Sequence, residues 1–205
     1  MSAIAVFRTA VLALLDDPTN VRYTSAQVDQ GLRQALQEYS LANPRAALYN
    51  VDGNGNYRFE LPADFQPIQI TGVELHDATA NPQCPILFYA YNQDSQWIME
   101  TKDTLVKVGQ SIDISYGAYH TIDGLDSGAG TTIPAEDEAA LEMGAAGFAA
   151  IMRAVSRSES VNLQPDVTKA LLDLSVAFLE AFHASIYHVR MAAFAEMPGL
   201  DGDVF

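Results

Sequence analysis

The sequence lacks several features that stabilise or localise proteins. Its single cysteine, Cys84, excludes an internal disulfide, so packing must hold the fold together. Charged or polar residues interrupt the apolar stretches well before the ~20 residues that a bilayer span needs, so we expect no membrane-spanning helix. Residues 1–17 have no basic leader before their apolar run, and Arg8 lies within that run, so we expect no secretion signal.

Basic residues are also scarce. The chain has 11 Lys and Arg against 26 Asp and Glu, a net charge of −15, and the acidic excess lies entirely after residue 50. High-affinity binding to nucleic acid phosphates needs clustered Lys and Arg, which are not found in this sequence. An acidic surface suits a channel through which DNA moves without being held. The 49% share of hydrophobic residues predicts a packed core.

Two helices are predicted in the first 45 residues. Apolar residues recur at helical spacing over residues 3–15, and Asp16-Asp17-Pro18 ends that pattern. The second helix begins with a capping-box pattern, in which Thr24 and Gln27 satisfy free backbone N–H groups. It ends at Asn43-Pro44. Its apolar stripe is Val28, Leu32, Leu36 and Tyr39.

The pattern changes between residues 46 and 130. Gly, Pro and Asn separate short β-rich runs, which predict about six strands in an antiparallel sheet or partial barrel. The runs are 57–61, 68–75, 86–91, 96–100, 105–108 and 112–116. Residues 52–56 read as a turn, and the glycine-rich residues 123–131 as a flexible return loop.

Helical patterns resume at Pro134, a residue suited to a first helical position. Small residues over 144–150 predict close approach of another helix. A last helix begins at Pro165. Continued to Phe194 it is ~45 Å long at ~1.5 Å per residue, so part of it should contact the insertion or another subunit. Residues 197–205 form an acidic, flexible tail.

These patterns predict an α+β fold. Residues 1–45 and 131–196 form a four-helix core bundle, two helices from each end of the chain. Residues 46–130 form a central antiparallel β-rich insertion, and residues 197–205 form the C-terminal tail. Because residues 3–43 and 134–195 should pack together as one bundle, the insertion between them is expected to be an outward arm rather than a separate domain.

The sequence offers no pattern for catalysis, a cofactor or a metal. Residues 52–56 resemble the start of a calcium loop, but Tyr57 and Ala63 stand where that loop needs glycine and glutamate. His183 and His188 are spaced so that they diverge on a helix. No nucleophile elbow surrounds Ser127, and there is no Walker loop, dinucleotide fingerprint or CxxC motif. We therefore expect a protein that is not an enzyme.

Loose patterns follow one another over about residues 5–160. They are Tyr23-Thr24 with Leu32, Ala35, Leu36, Tyr39, Ser40 and Pro44; Tyr57, Phe59, Leu61, Pro62, Asp64 and Phe65 with Ile70, Val73 and Glu74; and Ile112, Ile114, Tyr116 and His120 with residues 131–136 and 144–146. In this order and spacing the chain resembles the adaptor, or head-to-tail connector, proteins of tailed bacteriophages.

The resemblance implies a structural virion protein, assembled in the host cytoplasm as a ring of twelve copies beneath the capsid portal. Such a ring binds the portal on one side and tail or neck proteins on the other. Packaged DNA passes through it without specific binding. The alternatives are a tail-side nozzle or head-completion component and, with less support, a glycan-binding module or an enzyme in the β region.

The candidate contact residues fall into three groups. The portal candidates lie in the tail and are Leu200, Val204 and Phe205. The ring candidates lie on the last two helices and are Gly144, Gly147, Phe148, Phe182 and Ile186. The tail-side candidates are strand aromatics that also suit packing or base and sugar stacking, namely Tyr89, Tyr91 and Trp97.

Overall fold

The protein divides into two compact units. The computed structural model describes residues 2–77, 80–158 and 165–195, except for the side chains of residues 77, 80–84, 158, 165 and 188–195. A helical unit comprises Met1–Asn43 and His120–Phe205, and a β unit comprises Pro44–Tyr119. The described residues form a mixed α and β fold with four helices and two small antiparallel sheets.

The helical unit contains α1 (Ile4–Leu14), α2 (Ser25–Ala42), α3 (Glu138–Ser158) and α4 (Pro165–Ala195). The predicted capping box of α2 is confirmed, because the Thr24 hydroxyl accepts from the Gln27 N–H at 3.2 Å and the Gln27 side chain accepts from the Thr24 N–H at 3.0 Å. The predicted start of the third helix at Pro134 is wrong. The Pro134 carbonyl closes a turn with Asp137, and α3 begins at Glu138.

The core of the helical unit forms where α3 packs against the other three helices. Alanines 145, 146, 149 and 150 are fully buried, which allows the neighbouring backbones to approach closely. The largest side chains packed there are Phe7, Leu32, Tyr39, Leu141 and Phe182. The small residues of α3 are therefore used inside the unit.

Gly31 of α2 marks the closest approach of α2 to α3. A Cβ added there would lie 2.5 Å from the Ala145 carbonyl oxygen, a backbone atom that cannot move aside cheaply. We predict that Gly31→Ala destabilises the helical unit by about 1–3 kcal/mol, although alanine favours a helix by about 1 kcal/mol over glycine. Urea unfolding followed by circular dichroism at the helical band measures the change.

Gly130→Ala is the matched control for this prediction. A Cβ at Gly130 meets no atom within 4 Å, and we expect little change in the free energy of unfolding. A Gly31→Ala protein more stable than wild type would contradict the close contact between α2 and α3.

The β unit contains β1 (Arg45–Asp52), β2 (Arg58–Glu60), β3 (Gln69–Asp77), β4 (Ala80–Pro85), β5 (Phe88–Gln93), β6 (Gln96–Thr101) and β7 (Ser111–Ala118). One sheet has the order β1-β7-β3-β4 and the other the order β2-β6-β5, and all described pairs are antiparallel. Residues from both sheets share one apolar core, which includes Phe59, Val73, Met99, Ile112 and Ile114.

The predicted strands agree with β2, β3, β5, β6 and β7 within a few residues. The strand predicted at residues 105–108 is wrong. Val106 is buried, but the backbone there forms only an isolated bridge between Val108 and Gln110. The sequence did not indicate β1 and β4. They are the edge strands of their sheet, and the side chains of β1 alternate between exposed and half-buried, with none fully buried.

The loop predicted as a flexible part of the insertion belongs instead to the helical unit. Ile122 and Leu125 are buried in the helical core, and the Asp123 carbonyl accepts from the Ile4 N–H at 2.9 Å. Arg33 of α2 binds the Asp126 carboxylate at 2.7 Å. The glycine-rich composition of this loop gave no sign of its buried residues and its contacts. Residues 120–130 therefore belong to the helical unit rather than to the insertion. The predicted tail, residues 197–205, lies outside the described residues.

Candidate interaction surfaces

Four of the five residues proposed for the ring interface are buried within the subunit. They are Gly144, Gly147, Phe182 and Ile186, whereas Phe148 is half-buried against the same core. A Cβ at Gly144 would lie 2.9 Å from the Phe182 ring, and one at Gly147 would lie 2.8 Å from Leu179. The glycine face of α3 is therefore filled by α4 of the same chain. The assignment of the four buried residues to a contact between copies is corrected accordingly.

One flank of α4 is exposed. We define the outer face of α4 by Leu172, Val176 and Tyr187, which are 43%, 53% and 61% exposed. Their spacing places them within one side of the helix. Tyr187 also lines a shallow cavity of about 260 Å³ with Leu41 of α2, which is itself exposed. Leu172 and Val176 are about one turn apart and Tyr187 lies about three turns farther along, so the outer face is a candidate contact surface in two parts.

Two helices meet a length and composition criterion that the sequence analysis did not expect any helix to meet. Glu138–Arg157 and Asp166–Tyr187 are both long and apolar enough to cross a bilayer by these measures alone. Core helices of soluble proteins meet the same criteria, and α3 is mostly buried against its neighbours. The buried share is 56% in the window on α3 and 17% in the window on α4, so α4 exposes more apolar surface.

The strand aromatics occupy different environments. Tyr89 and Tyr91 of β5 are exposed, whereas Trp97 of β6 is half-buried and packs against the core of the β unit. The Tyr91 hydroxyl donates a hydrogen bond to the Glu100 carboxylate at 2.8 Å, which raises the pKa of Tyr91. Tyr89 and Tyr91 therefore remain available on the surface. The portal candidates Leu200, Val204 and Phe205 lie outside the described residues.

The residues considered for chemistry have structural partners. The ring nitrogens of His120 lie 3.0 Å from the Thr132 and Asn43 carbonyl oxygens. His183 lies 2.9 Å from the Glu38 carboxylate. The turn at residues 52–56 is closed by the Asn54 side chain, which accepts from the backbone N–H two residues later. Within residues 2–77, 80–158 and 165–195, no group of three or more possible metal ligands was found.

A cavity that the sequence did not indicate lies between the loop that joins α1 to α2, α3 and α4. It has a volume of about 390 Å³, and Arg22, Arg153 and Arg157 contribute to its wall. We call it the arginine pocket. Apolar residues line the rest together with one carboxylate, Asp16; they are Leu15, Tyr23, Val167, Leu171 and Leu174. The one sequence signal for this pocket is Arg153, a charge at a buried helical position in an alanine-rich run.

Arg153 is 9% exposed, and its guanidinium lies over the Tyr23 ring, 4.7 Å from the ring centroid. In the described part of the chain, no carboxylate forms an ion pair with it. Burial lowers the pKa of Arg153, and the nearby charges of Arg157 and Arg22 lower it further. The pocket therefore brings several arginine side chains close together in a protein that has few basic residues.

The Asp17 carboxylate stabilises the loop that carries Arg22. It accepts hydrogen bonds from the backbone N–H groups of Val21 at 3.1 Å, Arg22 at 2.6 Å and Tyr23 at 2.8 Å. Burial raises the pKa of Asp17, but the three donors outweigh burial and hold the pKa below its ordinary value. This side chain therefore fixes one wall of the arginine pocket.

We predict that Asp17→Asn lowers the melting temperature of the helical unit at neutral pH. Because the folded pKa of Asp17 lies below its unfolded value of ~3.9, its contribution to stability is present above about pH 4 and is lost as the pH falls through the folded pKa. The difference between the two melting temperatures should therefore stay constant from about pH 7 to pH 4 and shrink as the pH falls further. Asp16→Asn, an exposed neighbour, is the control, and a pH-independent difference would refute this role.

Comparison with known proteins adds no family to this description. No protein-family model matches the chain, and the search of curated proteins found no match. The fold and its surfaces define a two-unit α+β protein with an exposed apolar helix face. The likeness to phage adaptors rests on the sequence patterns.

Proposed function

We propose that this protein is a structural adaptor of a tailed-bacteriophage virion, which joins the capsid portal to the tail or neck. The observation that carries the proposal is the outer face of α4, where Leu172, Val176 and Tyr187 expose apolar surface along one side of a 31-residue helix. A closed ring needs two different surfaces on each subunit that fit each other. The outer face supplies one of them, in place of the ring candidates that are buried within the subunit.

The four helices act in this proposal as one bundle that forms the body of a ring of twelve copies. The net charge of −15 suits a lumen that repels the DNA backbone, so that the genome moves through without specific binding. The assembled position is the head–tail interface of the virion. No catalytic step, cofactor or membrane is part of this role.

The remaining candidate contacts keep separate roles. Leu200, Val204 and Phe205 in the tail contact the portal, and the exposed Tyr89 and Tyr91 of the β unit contact a tail or nozzle protein. Exposed aromatic side chains bring large contact area at low entropic cost, which favours such an interface. Trp97 contributes by packing against the core of the β unit.

Sedimentation velocity of the full chain, alone and with the portal protein of the same virion, tests the proposal. We expect a large ring, at least when the portal is present. A strictly monomeric protein that ignores the portal would reject it. Deletion of residues 201–205 should weaken portal binding, and unchanged binding would remove the tail from the mechanism.

Two alternatives give different results in the same experiments. A nozzle or head-completion component would co-purify with tail or neck proteins but would not bind the portal directly. A glycan-binding module would use the open cavity of the β unit lined by Asn54, Asn56, Tyr57, Arg58 and Glu60. Saturable glycan binding by the full chain that is lost in Tyr57→Ala would favour that reading, because Tyr57 is half exposed at this cavity.

A further inference from the structure

A shallow groove lies between the C-terminal end of α2 and the second half of α4. Its volume is about 260 Å³, and we call it the α2–α4 groove. Six residues line it, namely Glu38, Leu41, Ala42, His183, Ile186 and Tyr187. The Glu38 carboxylate lies 2.9 Å from His183 Nε2, so these two polar side chains of the wall are paired with each other. The groove therefore offers apolar surface rather than a site for a free ion.

The apolar surface of the α2–α4 groove is open to solvent. Leu41 is 51% exposed and Tyr187 is 61% exposed, whereas Ile186 is buried. Burial of apolar surface is favourable by roughly 25 cal/mol per Å². An apolar side chain placed between Leu41 and Tyr187 would therefore stabilise the helical unit, and the groove suits a short apolar segment.

The chain that follows α4 starts close to this groove. The helix ends at Ala195, eight residues after Tyr187, which is ~12 Å along the helix axis at ~1.5 Å per residue. Extended chain covers at most ~3.6 Å per residue, so Val204 lies within ~32 Å of Ala195 and Phe205 within ~36 Å. Both residues, which lie outside the described part of the chain, can therefore turn back as far as Tyr187.

We infer that Val204 and Phe205 of the same chain occupy the α2–α4 groove. They are adjacent apolar residues within reach of it, and a short tether gives such a segment a local concentration on the order of millimolar. The tether favours the chain's own segment over a second copy. The carboxylates of Asp201 and Asp203 stay in water, because the imidazole in the groove wall is already paired with Glu38.

This contact divides the outer face of α4 between two uses. The chain's own segment covers Tyr187, and the part formed by Leu172 and Val176 stays exposed for contact between copies. Val204 and Phe205 are also proposed portal contacts, so the groove and the portal compete for the same two side chains. The groove contact itself requires neither a portal nor a ring.

The test compares the full chain with a chain that ends at Ala195, which keeps every residue that the structure describes. The probe is a fluorescent peptide of residues 196–205, and fluorescence anisotropy measures its binding. We expect saturable binding to the shortened chain and at least about tenfold weaker binding to the full chain, whose own segment fills the groove. Added salt should not weaken binding, because the contact is apolar and both partners are acidic.

Variants of the shortened chain locate the site. Leu41→Glu replaces an apolar wall of the groove with a carboxylate and should weaken binding at least about tenfold. Val6→Glu makes the same change of charge on α1 at a residue that is 53% exposed, and should bind as the unsubstituted shortened chain does. Circular dichroism confirms that each variant is folded.

Variants of the peptide identify the side chains that bind. A peptide with Val204→Ser and Phe205→Ser should bind at least about tenfold more weakly, because it has lost its apolar contact area. A peptide with Asp201→Asn and Asp203→Asn keeps that area and should bind at least as tightly as the original.

The outcomes separate this inference from the adaptor role. Equal peptide binding by the full and shortened chains overturns the inference, because the groove would then be open to a second copy. Undetectable binding to the shortened chain, or equal binding by Leu41→Glu and Val6→Glu, overturns it as well. Groove-dependent binding by a chain that never associates with the portal supports the inference and rejects the proposed adaptor.

Discussion

Replacing Leu172 and Val176 with glutamate is expected to abolish assembly into a ring. Both side chains lie on the outer face of α4, 43% and 53% exposed, so the substitution leaves the core of the subunit intact. In an assembled ring the same positions are buried, and the two carboxylates would lose their hydration without a partner. We expect association at least about a hundredfold weaker, which corresponds to about 2.7 kcal/mol. Sedimentation velocity with the portal present measures the loss.

A matched pair of substitutions controls for charge and for lost apolar surface. Val6 and Leu14 of α1 are 53% and 39% exposed, close to the values on α4. Val6→Glu with Leu14→Glu should therefore assemble as wild type does. Equal assembly by both double variants would exclude the outer face of α4 from the ring. Equal loss in both would show a general effect of added negative charge.

Phe182→Ala is expected to destabilise the helical unit by about 3–5 kcal/mol. The Phe182 ring is fully buried and fills the space above Gly144, so its removal leaves a cavity between α3 and α4. The loss should appear in urea unfolding followed by circular dichroism at the helical band. Trp97, the single tryptophan, lies in the β unit, and its fluorescence reports the unfolding of that unit in the same sample.

Leu172→Ala on the exposed side of α4 is the control, with an expected loss below about 1 kcal/mol. The comparison also tests the corrected position of Phe182. A contact between copies would make Phe182→Ala weaken assembly and leave the unfolding of the isolated subunit unchanged. That result would return Phe182 to the ring interface and contradict its burial inside the subunit.

The helices and strands that were predicted correctly from the sequence are those that depend on interactions between residues close in the chain. The Thr24 and Gln27 side chains each accept a hydrogen bond from the backbone N–H of the other residue, three positions away. The start of α2 could therefore be predicted from a short stretch of sequence. The last helix was likewise read from Pro165 onward, where α4 begins. The strands with strong apolar alternation, such as β7, were predicted within a residue or two. The edge strands β1 and β4 were not, because their pairing rather than their own pattern defines them.

The candidate contacts were harder to predict because they depend on which side of a helix is covered. The spacing of Phe182 and Ile186 indicated an apolar stripe, but spacing alone does not say whether its partner is α3 or another copy. The structure shows α3 as the partner. The same limit applies to the loop at residues 120–130, where buried Ile122 and Leu125 act as anchors despite the surrounding glycines.

The sequence by itself determined the order of helices and β-rich region, the acidic balance, the absence of an internal disulfide and the start of α2. These follow from composition and from interactions between residues close in the chain. Only the tertiary structure decided which face of α4 is exposed and that Arg22, Arg153 and Arg157 share one pocket. Arg22 is far from the other two in the chain, and only the packing of the α1–α2 loop against α3 and α4 brings them together.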